Sequence, residues 1–320
     1  MFTAVFHIAR NTFRENLRQP IYLLVLLTAL VLIGTLPAFT LFVFREQEKL
    51  VTDTALATML AFGWTLAVLI ASHTVTREIQ RGTAMLLLSK PVTRFTFILG
   101  KNLGMFGALG IFCLLTGTAT IFTLRVAADQ FNFHQPGFFV YFGAILISCG
   151  IGGIVNFVRR SSFPMAAVLA LTGLLPAATL AYRWVPVQGE AVSFRWQVLP
   201  ALILIAFAVG TLGVLAVALS TRLRLLPNML VCGVAFAMGL VSDYLLAEIA
   251  ADNLLVAALH TAIPNWQLFW MADALAAGKN IPLAYVGLGA AYFLMFTVLF
   301  MTLGTLFFAH REVGEQRSME

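Results

Sequence analysis

Long runs of apolar residues, broken by short clusters of charge and proline, repeat along the whole chain. A helix of roughly 20 apolar residues is long enough to cross the hydrocarbon core of a membrane. Eight runs approach this length, and they predict an all-α, polytopic membrane protein with about eight transmembrane helices, six being the alternative count. The predicted spans are 21–44, 55–76, 103–125, 138–158, 163–182, 197–220, 229–248 and 283–308. The fifth has the weakest pattern because it is short and contains Pro164 and Pro176.

The first twenty residues show a helical period instead of a continuous apolar run. One predicted face is apolar and the other is polar and basic. The apolar face comprises Phe2, Val5, Phe6, Ala9, Phe13 and Leu17, and the polar face comprises His7, Arg10, Asn11, Arg14 and Arg18. This pattern predicts an amphipathic helix over 1–20 that lies along the cytoplasmic membrane surface, with Pro20 marking the turn into the first span. An ordinary cytoplasmic overhang is the simpler alternative. The membrane domain then covers 21–308, and 309–320 form a cytoplasmic tail.

Composition agrees with a membrane location: 60% of the 320 residues are hydrophobic, 11% are charged, and the mean hydropathy is +0.92. These values exclude a water-soluble protein with an ordinary polar surface. The net charge of +6 does not indicate a nucleic-acid partner, because the positions of the charges follow the predicted spans. Fourteen of the twenty Lys and Arg residues fall on the side that carries both termini. The positive-inside rule therefore predicts that both termini are cytoplasmic.

One predicted cytoplasmic segment, residues 77–101, combines several charges with the apolar sequence AMLLLS. Gly82 is expected to end the helix that leaves the second span, and Thr83 can cap a short new helix. Pro91 ends that helix, and Thr93 can cap the helix of the third span. The pattern therefore predicts an apolar helix from Ala84 to Ser89 at the cytoplasmic surface. Its cover could be lipid headgroups, the protein's own core or a partner protein.

The 77–101 segment, REIQRGTAMLLLSKPVTRFTFILGK, resembles the region between spans two and three in permease subunits of ABC transporters of the type-2 exporter class. In that family this region is a coupling helix that sits in a cleft of the ATPase subunit. RNTFRENLRQPIY resembles the family's N-terminal elbow helix, LHTAIPNWQLFWMADALAAGKNIP its last external segment, and FFAHREV its C-terminal end. Residues 126–196 match the family only in hydropathy.

The resemblance implies roles for individual residues and for partners. The implied elbow-helix residues are Arg10, Phe13, Arg14 and Arg18. The implied ATPase-docking residues are Glu78, Arg81, Gly82, Thr83, Ala84, Met85, Leu86, Leu87, Leu88, Ser89, Pro91 and Arg94. The implied partners are an ABC ATPase subunit, a second permease copy or homologue, and membrane lipids. The implied location is a cytoplasmic membrane of the bacterial inner-membrane type.

The chain has no phosphate-binding loop, so ATP and magnesium are expected on the partner ATPase, and the chain itself is expected to bind no cofactor or metal and to be no enzyme. It also lacks the HExxH and GxSxG motifs of hydrolases. Ionisable residues within the spans reduce essentially to Asp243, a possible pathway residue. ATP-driven export is therefore the leading hypothesis. The alternatives are a membrane scaffold that recruits a cytoplasmic partner without transport, and an ion-coupled carrier. The pattern does not select a substrate.

Overall fold

The computed structural model describes residues 2–40, 47–80, 93–127, 135–185 and 193–309, and this part of the chain is helical without strands. We number the α-helices in chain order and name the single π-helix and the two short 3₁₀ turns by their residues. The helices are α1 (Phe2–Arg18), α2 (Pro20–Thr40), α3 (Gln47–Ala71), a π-helix (Ser72–Thr76), α4 (Arg77–Gln80), α5 (Arg94–Val126), α6 (Gln135–Arg159), α7 (Phe163–Tyr182), α8 (Leu199–Ser220), α9 (Leu225–Asp252), α10 (Leu254–Ala262), α11 (Ala272–Ala276) and α12 (Leu283–Ala309). The 3₁₀ turns are Trp196–Val198 and Trp266–Phe269.

Eight helices of the described part are long and apolar enough to span a membrane, which confirms the predicted all-α polytopic class and the higher span count. The weak fifth span is the complete helix α7. Pro164 lies in its first turn, where the missing N–H has no helical partner in any case. Pro176 lies inside the helix. Two other spans were predicted too short, because α3 begins at Gln47 and α5 at Arg94.

The centre of the bundle is formed by α5 and α8, which contact each other and also contact α3. Helix α2 packs on α3 and α5, and α12 packs mainly on α8. Helices α6 and α7 form a hairpin that reaches the centre chiefly through α7 and α5. Large apolar side chains on α6, α9 and α12, such as Leu146, Leu230 and Leu283, are exposed. Such faces are typical of helices that contact lipid or another membrane subunit.

Helix α1 is amphipathic, as predicted, but much of its apolar face is covered by α5. The two helices run in the same direction, with Ile8 beside Gly100 and Thr12 beside Gly104. A Cβ atom on Gly104 would lie 2.6 Å from the backbone oxygen of Ala9, so glycine allows the backbones to approach closely. Phe6 is 63% exposed and continues the apolar surface outward. The sequence predicted a helix along the membrane surface, and the structure adds a contact with α5 that the sequence pattern did not indicate.

The charged residues separate into two ends of the bundle, as the sequence pattern predicts. At one end, Arg14, Arg18 and Arg77 line a common cleft together with Glu15 and Glu78. At the other end, Lys49 and Arg195 line a cavity that also contains Glu48, Asp53 and Asp273. The first end is predominantly basic and the second is mixed in sign; we call them the basic end and the mixed end.

The aromatic residues near the mixed end divide into two groups. The side chains of Trp184 and Trp196 are exposed, as expected of residues that anchor a protein at a membrane interface. Trp266 and Tyr182 are only 2% exposed and pack inside the protein. The rings of Trp266 and Tyr182 therefore fill the core and do not lie at a membrane interface.

Candidate functional site at the basic end

Both flanks of the 77–101 segment are described, whereas residues 81–92 are not. The predicted helix from Ala84 to Ser89, with the predicted roles of Gly82, Thr83 and Pro91, lies outside the described residues. The predicted docking residues Arg81, Met85, Leu86, Leu87 and Leu88 also fall within residues 81–92. Thr93 caps α5 as predicted, because its side-chain Oγ1 accepts a hydrogen bond from the backbone N–H of Thr96 at 3.2 Å.

Glu78 and Lys101 join the two flanks by an ion pair. Lys101 Nζ lies 2.7 Å from Glu78 Oε1, and the two side chains are 2% and 19% exposed, respectively. Helices α4 and α5 are thereby connected across the segment that separates them in sequence. A buried lysine without this carboxylate would lose most of its hydration with no compensating charge. The resemblance assigns Glu78 to ATPase docking, and the structure adds a bond from that residue to α5.

Helix α3 changes to a π-helix at Ser72–Thr76, just before α4. Such single turns are rare and occur frequently at functional sites. The side-chain amide of Asn228 donates to Ser72 Oγ at 3.0 Å and to the backbone oxygen of Ala216 at 3.1 Å. The Thr76 hydroxyl donates to the backbone oxygen of Ser220 at 3.0 Å. The π-helix is therefore tied to both α8 and α9.

The start of α5 is also connected to the end of α12. Arg94 Nη1 donates to the backbone oxygen of Phe308 at 3.3 Å, and its guanidinium lies 5.8 Å from the centre of the Phe308 ring. Arg222 Nε donates to the backbone oxygen of Phe307 at 2.8 Å. The last carbonyls of a helix have no partner within it and carry partial negative charge, so two arginines stabilise this end.

The predicted elbow residues lie on both faces of α1. Arg10, Arg14 and Arg18 are exposed, whereas Phe13 packs against Gly107 of α5. Arg14 and Arg18 line a cleft of about 500 Å³ together with Arg77 and Glu78. The elbow helix and the beginning of the 77–101 segment thus share one surface.

Asp243, the predicted pathway residue, is held by two neighbours near the mixed end. Its carboxylate lies 2.9 Å from His260 Nε2 and accepts a hydrogen bond from the Asn265 side-chain amide. The neighbouring Ser242 hydroxyl donates to the backbone oxygen of Gly239. The structure therefore brings Asp243 together with His260 and Asn265 and not with the other predicted site residues.

Two cavities at the mixed end have different linings. The first, of about 620 Å³, contains the Glu48–Arg195 ion pair and the carboxylates of Asp53 and Asp273. The second, of about 530 Å³, is lined by aromatic residues that include Phe236 and Trp270, and it also reaches Asp273. Cavities of this volume are typical of small-molecule sites. Among the described residues, no group of three or more His, Cys, Asp and Glu side chains converges as metal ligands would.

Two buried polar residues, Asn228 beside the candidate site and Arg125 elsewhere in the bundle, were not identified from the sequence pattern. Asn228 holds the π-helix, and Arg125 is a buried residue that donates to the backbone oxygens of Arg183 and Val185 at 3.0 and 2.8 Å. Polar residues within an apolar run were the available signal. Their partners lie in other helices or loops, so the signal alone could not assign a role.

Comparison with known proteins places these features in a family. A search of curated proteins found no significant match. A family model described as ABC-2 family transporter protein matches residues 6–191, more than half of the 320-residue chain. The match includes most of α1, the 77–101 segment and α6–α7, where sequence reasoning found only a hydropathy match. The protein is an integral membrane permease component of an ABC transporter, and the chain belongs to the ABC-2 transporter family.

Proposed function

We propose that this chain is the permease subunit of an ATP-driven exporter. A separate ABC ATPase subunit would bind ATP and magnesium, and its movement would drive substrate from the cytoplasm across the membrane. The chain itself would bind no cofactor or metal and catalyse no reaction. The complete transporter would contain two ATPase subunits and a second permease, either a copy of this chain or a homologue.

The bracing of the 77–101 segment is the observation that supports coupling most directly. Glu78 on one flank bonds to Lys101 on the other, and the π-helix before Glu78 is bonded to α8 and α9. A force applied between the flanks therefore acts on several helices together. Conformational changes in proteins commonly proceed by such movements of packed rigid elements.

The length of α5 agrees with a lever role. Helix α5 has 33 residues and is therefore about 50 Å long. The hydrocarbon core of a membrane is about 30 Å thick. At least one end of α5 must extend beyond the hydrocarbon, and in the proposed orientation its first turns project to the cytoplasm. Docking of the ATPase on Ala84–Ser89 would then move a helix that lies at the centre of the bundle.

The basic end supports the proposed orientation. Arginines concentrate at this end, and positively charged residues favour the cytoplasmic side of a membrane. We place both termini and the 77–101 segment in the cytoplasm of a cell with a bacterial-type inner membrane. The mixed end and its two cavities would then face outward, on the side where an exported substrate is released.

The decisive experiment tests docking and coupling separately. The chain is expressed with the ATPase encoded nearest to it, purified in detergent, and the amount of bound ATPase is measured for wild type, Leu87→Glu and Leu87→Met. We expect wild type and Leu87→Met to retain about one ATPase per permease. Leu87→Glu should lose it, because a buried carboxylate without a partner disfavours an apolar contact by several kcal/mol.

The same complexes distinguish the alternatives once they are reconstituted in vesicles. An exporter predicts that ATP hydrolysis changes when the permease is present and that transport requires ATP. A scaffold predicts ATPase binding with no effect on hydrolysis. Transport that follows an ion gradient without ATP would identify a carrier. Equal ATPase retention by wild type and Leu87→Glu would contradict docking at Ala84–Ser89.

A further inference from the structure

A groove at the basic end lies outside the coupling framework. It is about 580 Å³ in volume and is formed by the α6–α7 hairpin together with the C-terminal residue of α1. Among the residues that the structure describes, its polar lining consists of Arg18, Arg160, Ser161 and Ser162, without a carboxylate. We call it the hairpin groove. Its polar lining is therefore positively charged and rich in donors, and it favours an anionic ligand.

The turn between α6 and α7 has a defined backbone conformation. Arg160 has a φ of +52°, which is uncommon for a residue with a side chain. The Asn156 side-chain amide donates to the backbone oxygen of Ser161 and stabilises the turn from the preceding helix. Ser162 lies directly before α7, and its side chain makes no capping hydrogen bond to that helix. The Ser161 hydroxyl donates to the backbone oxygen of Val155 at 3.5 Å, so the turn presents the Arg160 guanidinium and the Ser162 hydroxyl at the groove.

The remaining wall of the hairpin groove is apolar. Ile151 from α6 and Met165 and Leu169 from α7 line it, and Ile151 and Leu169 are exposed. Phe157 and Val158 are also exposed at this end of α6. A soluble anion would contact only the polar lining and would leave the apolar wall uncovered. A ligand with an anionic headgroup and an acyl chain matches both parts, and basic pockets between membrane helices are known to bind such lipids.

We propose that the hairpin groove binds an anionic glycerophospholipid. Its phosphate would contact Arg160, Arg18 and the Ser162 hydroxyl, and an acyl chain would lie along Ile151 and Leu169. Arg18 lines both this groove and the cleft that contains Glu78 and Arg77. The lipid would therefore join the elbow helix to the hairpin, next to the 77–101 segment. This binding requires neither an ATPase nor the direction of transport proposed above.

The experiment measures lipid retained by the purified permease in native mass spectrometry, with phosphatidylglycerol and phosphatidylcholine added in equal amounts. We expect wild type to retain phosphatidylglycerol preferentially. Arg160→Gly removes the guanidinium while keeping a residue that accepts positive φ, and it should weaken phosphatidylglycerol binding about tenfold, the effect of one charge-assisted hydrogen bond. Arg160→Lys keeps the charge and should retain part of the preference. Arg224→Gln removes an exposed charge from the same end outside the groove and serves as the matched control.

Three results would overturn the proposal. The first is equal retention of both lipids by wild type, which would indicate apolar contact alone. The second is an equal loss of binding in Arg160→Gly and Arg224→Gln, which would indicate general attraction to the basic end. The third is displacement of phosphatidylglycerol by glycerol phosphate at equal concentration, which would identify a soluble phosphate site.

Discussion

The role of Lys101 depends on its contact with Glu78, which lies 23 residues away in the sequence. In the sequence it is one of several basic residues in the 77–101 segment, and nothing distinguishes it from Lys90 or Arg94. In the fold its side chain is buried and bonded to Glu78, and it lies 5.6 Å from the centre of the Phe97 ring. A charge predicted to be at the surface is thus an internal connection between the two flanks.

The energetic importance of this pair can be measured with single and double variants. Lys101→Met should lower the free energy of unfolding by about 2–3 kcal/mol, because it leaves the Glu78 carboxylate largely buried without its countercharge. Adding Glu78→Gln to Lys101→Met should restore part of this loss, because the charge that has lost its Lys101 partner is removed. Unfolding of wild type, Lys101→Met, Glu78→Gln and the double variant in mixed detergents, followed by circular dichroism, gives the three changes in stability and their coupling energy.

The exposed Glu48–Arg195 pair at the mixed end is the control for this measurement. Arg195→Met should change the stability by less than about 1 kcal/mol, because solvent screens exposed pairs. If Lys101→Met and Arg195→Met had equally small effects, the Glu78–Lys101 contact would not brace the segment, and the proposed lever would lose its principal connection.

Among the elements, α5 makes three structural contacts that its hydropathy does not reveal. Its first turn begins at the Thr93 cap, its glycines contact α1, and its central residues pack against α8. Hydropathy identified the apolar span but not the preceding turns from Arg94, because these contain Lys101 and Asn102 and their burial comes from tertiary contacts. Helix α5 therefore packs against α1 and also contains the last residues of the 77–101 segment.

A pair of glycine substitutions on α5 tests its contact with α1. Gly104→Ala places a Cβ atom 2.6 Å from the Ala9 backbone oxygen and should destabilise the protein by about 1–3 kcal/mol. Gly110→Ala, on the same helix, has no atom within 4 Å of the added Cβ and should be neutral or stabilising. Thermal unfolding in detergent, with proteolysis to detect release of α1, checks both. Equal thermal stability and equal proteolysis of the two variants would contradict close packing of α1 on α5.

At the scale of the whole molecule, the separation of charge between the two ends leads to a prediction about orientation. Single cysteines are placed at Arg224 and at Lys279, both exposed and at opposite predicted sides, in a chain whose natural cysteines are replaced. A maleimide that does not cross membranes should label Lys279→Cys in intact cells and Arg224→Cys only after permeabilisation. The reverse pattern would place the basic end outside and would contradict cytoplasmic docking of an ATPase.

The sequence by itself determined the class of the protein, because the length and hydropathy of a membrane span are local properties. Eight spans, the amphipathic α1, the Thr93 cap and the separation of charge could all be predicted from neighbouring residues. Tertiary structure alone decided which polar residues are internal. Lys101 meets Glu78, Asn228 meets Ser72, and Arg18 meets the hairpin groove through packing between helices that lie far apart in the chain. Such contacts depend on how helix faces are oriented, and a hydropathy pattern does not contain that information.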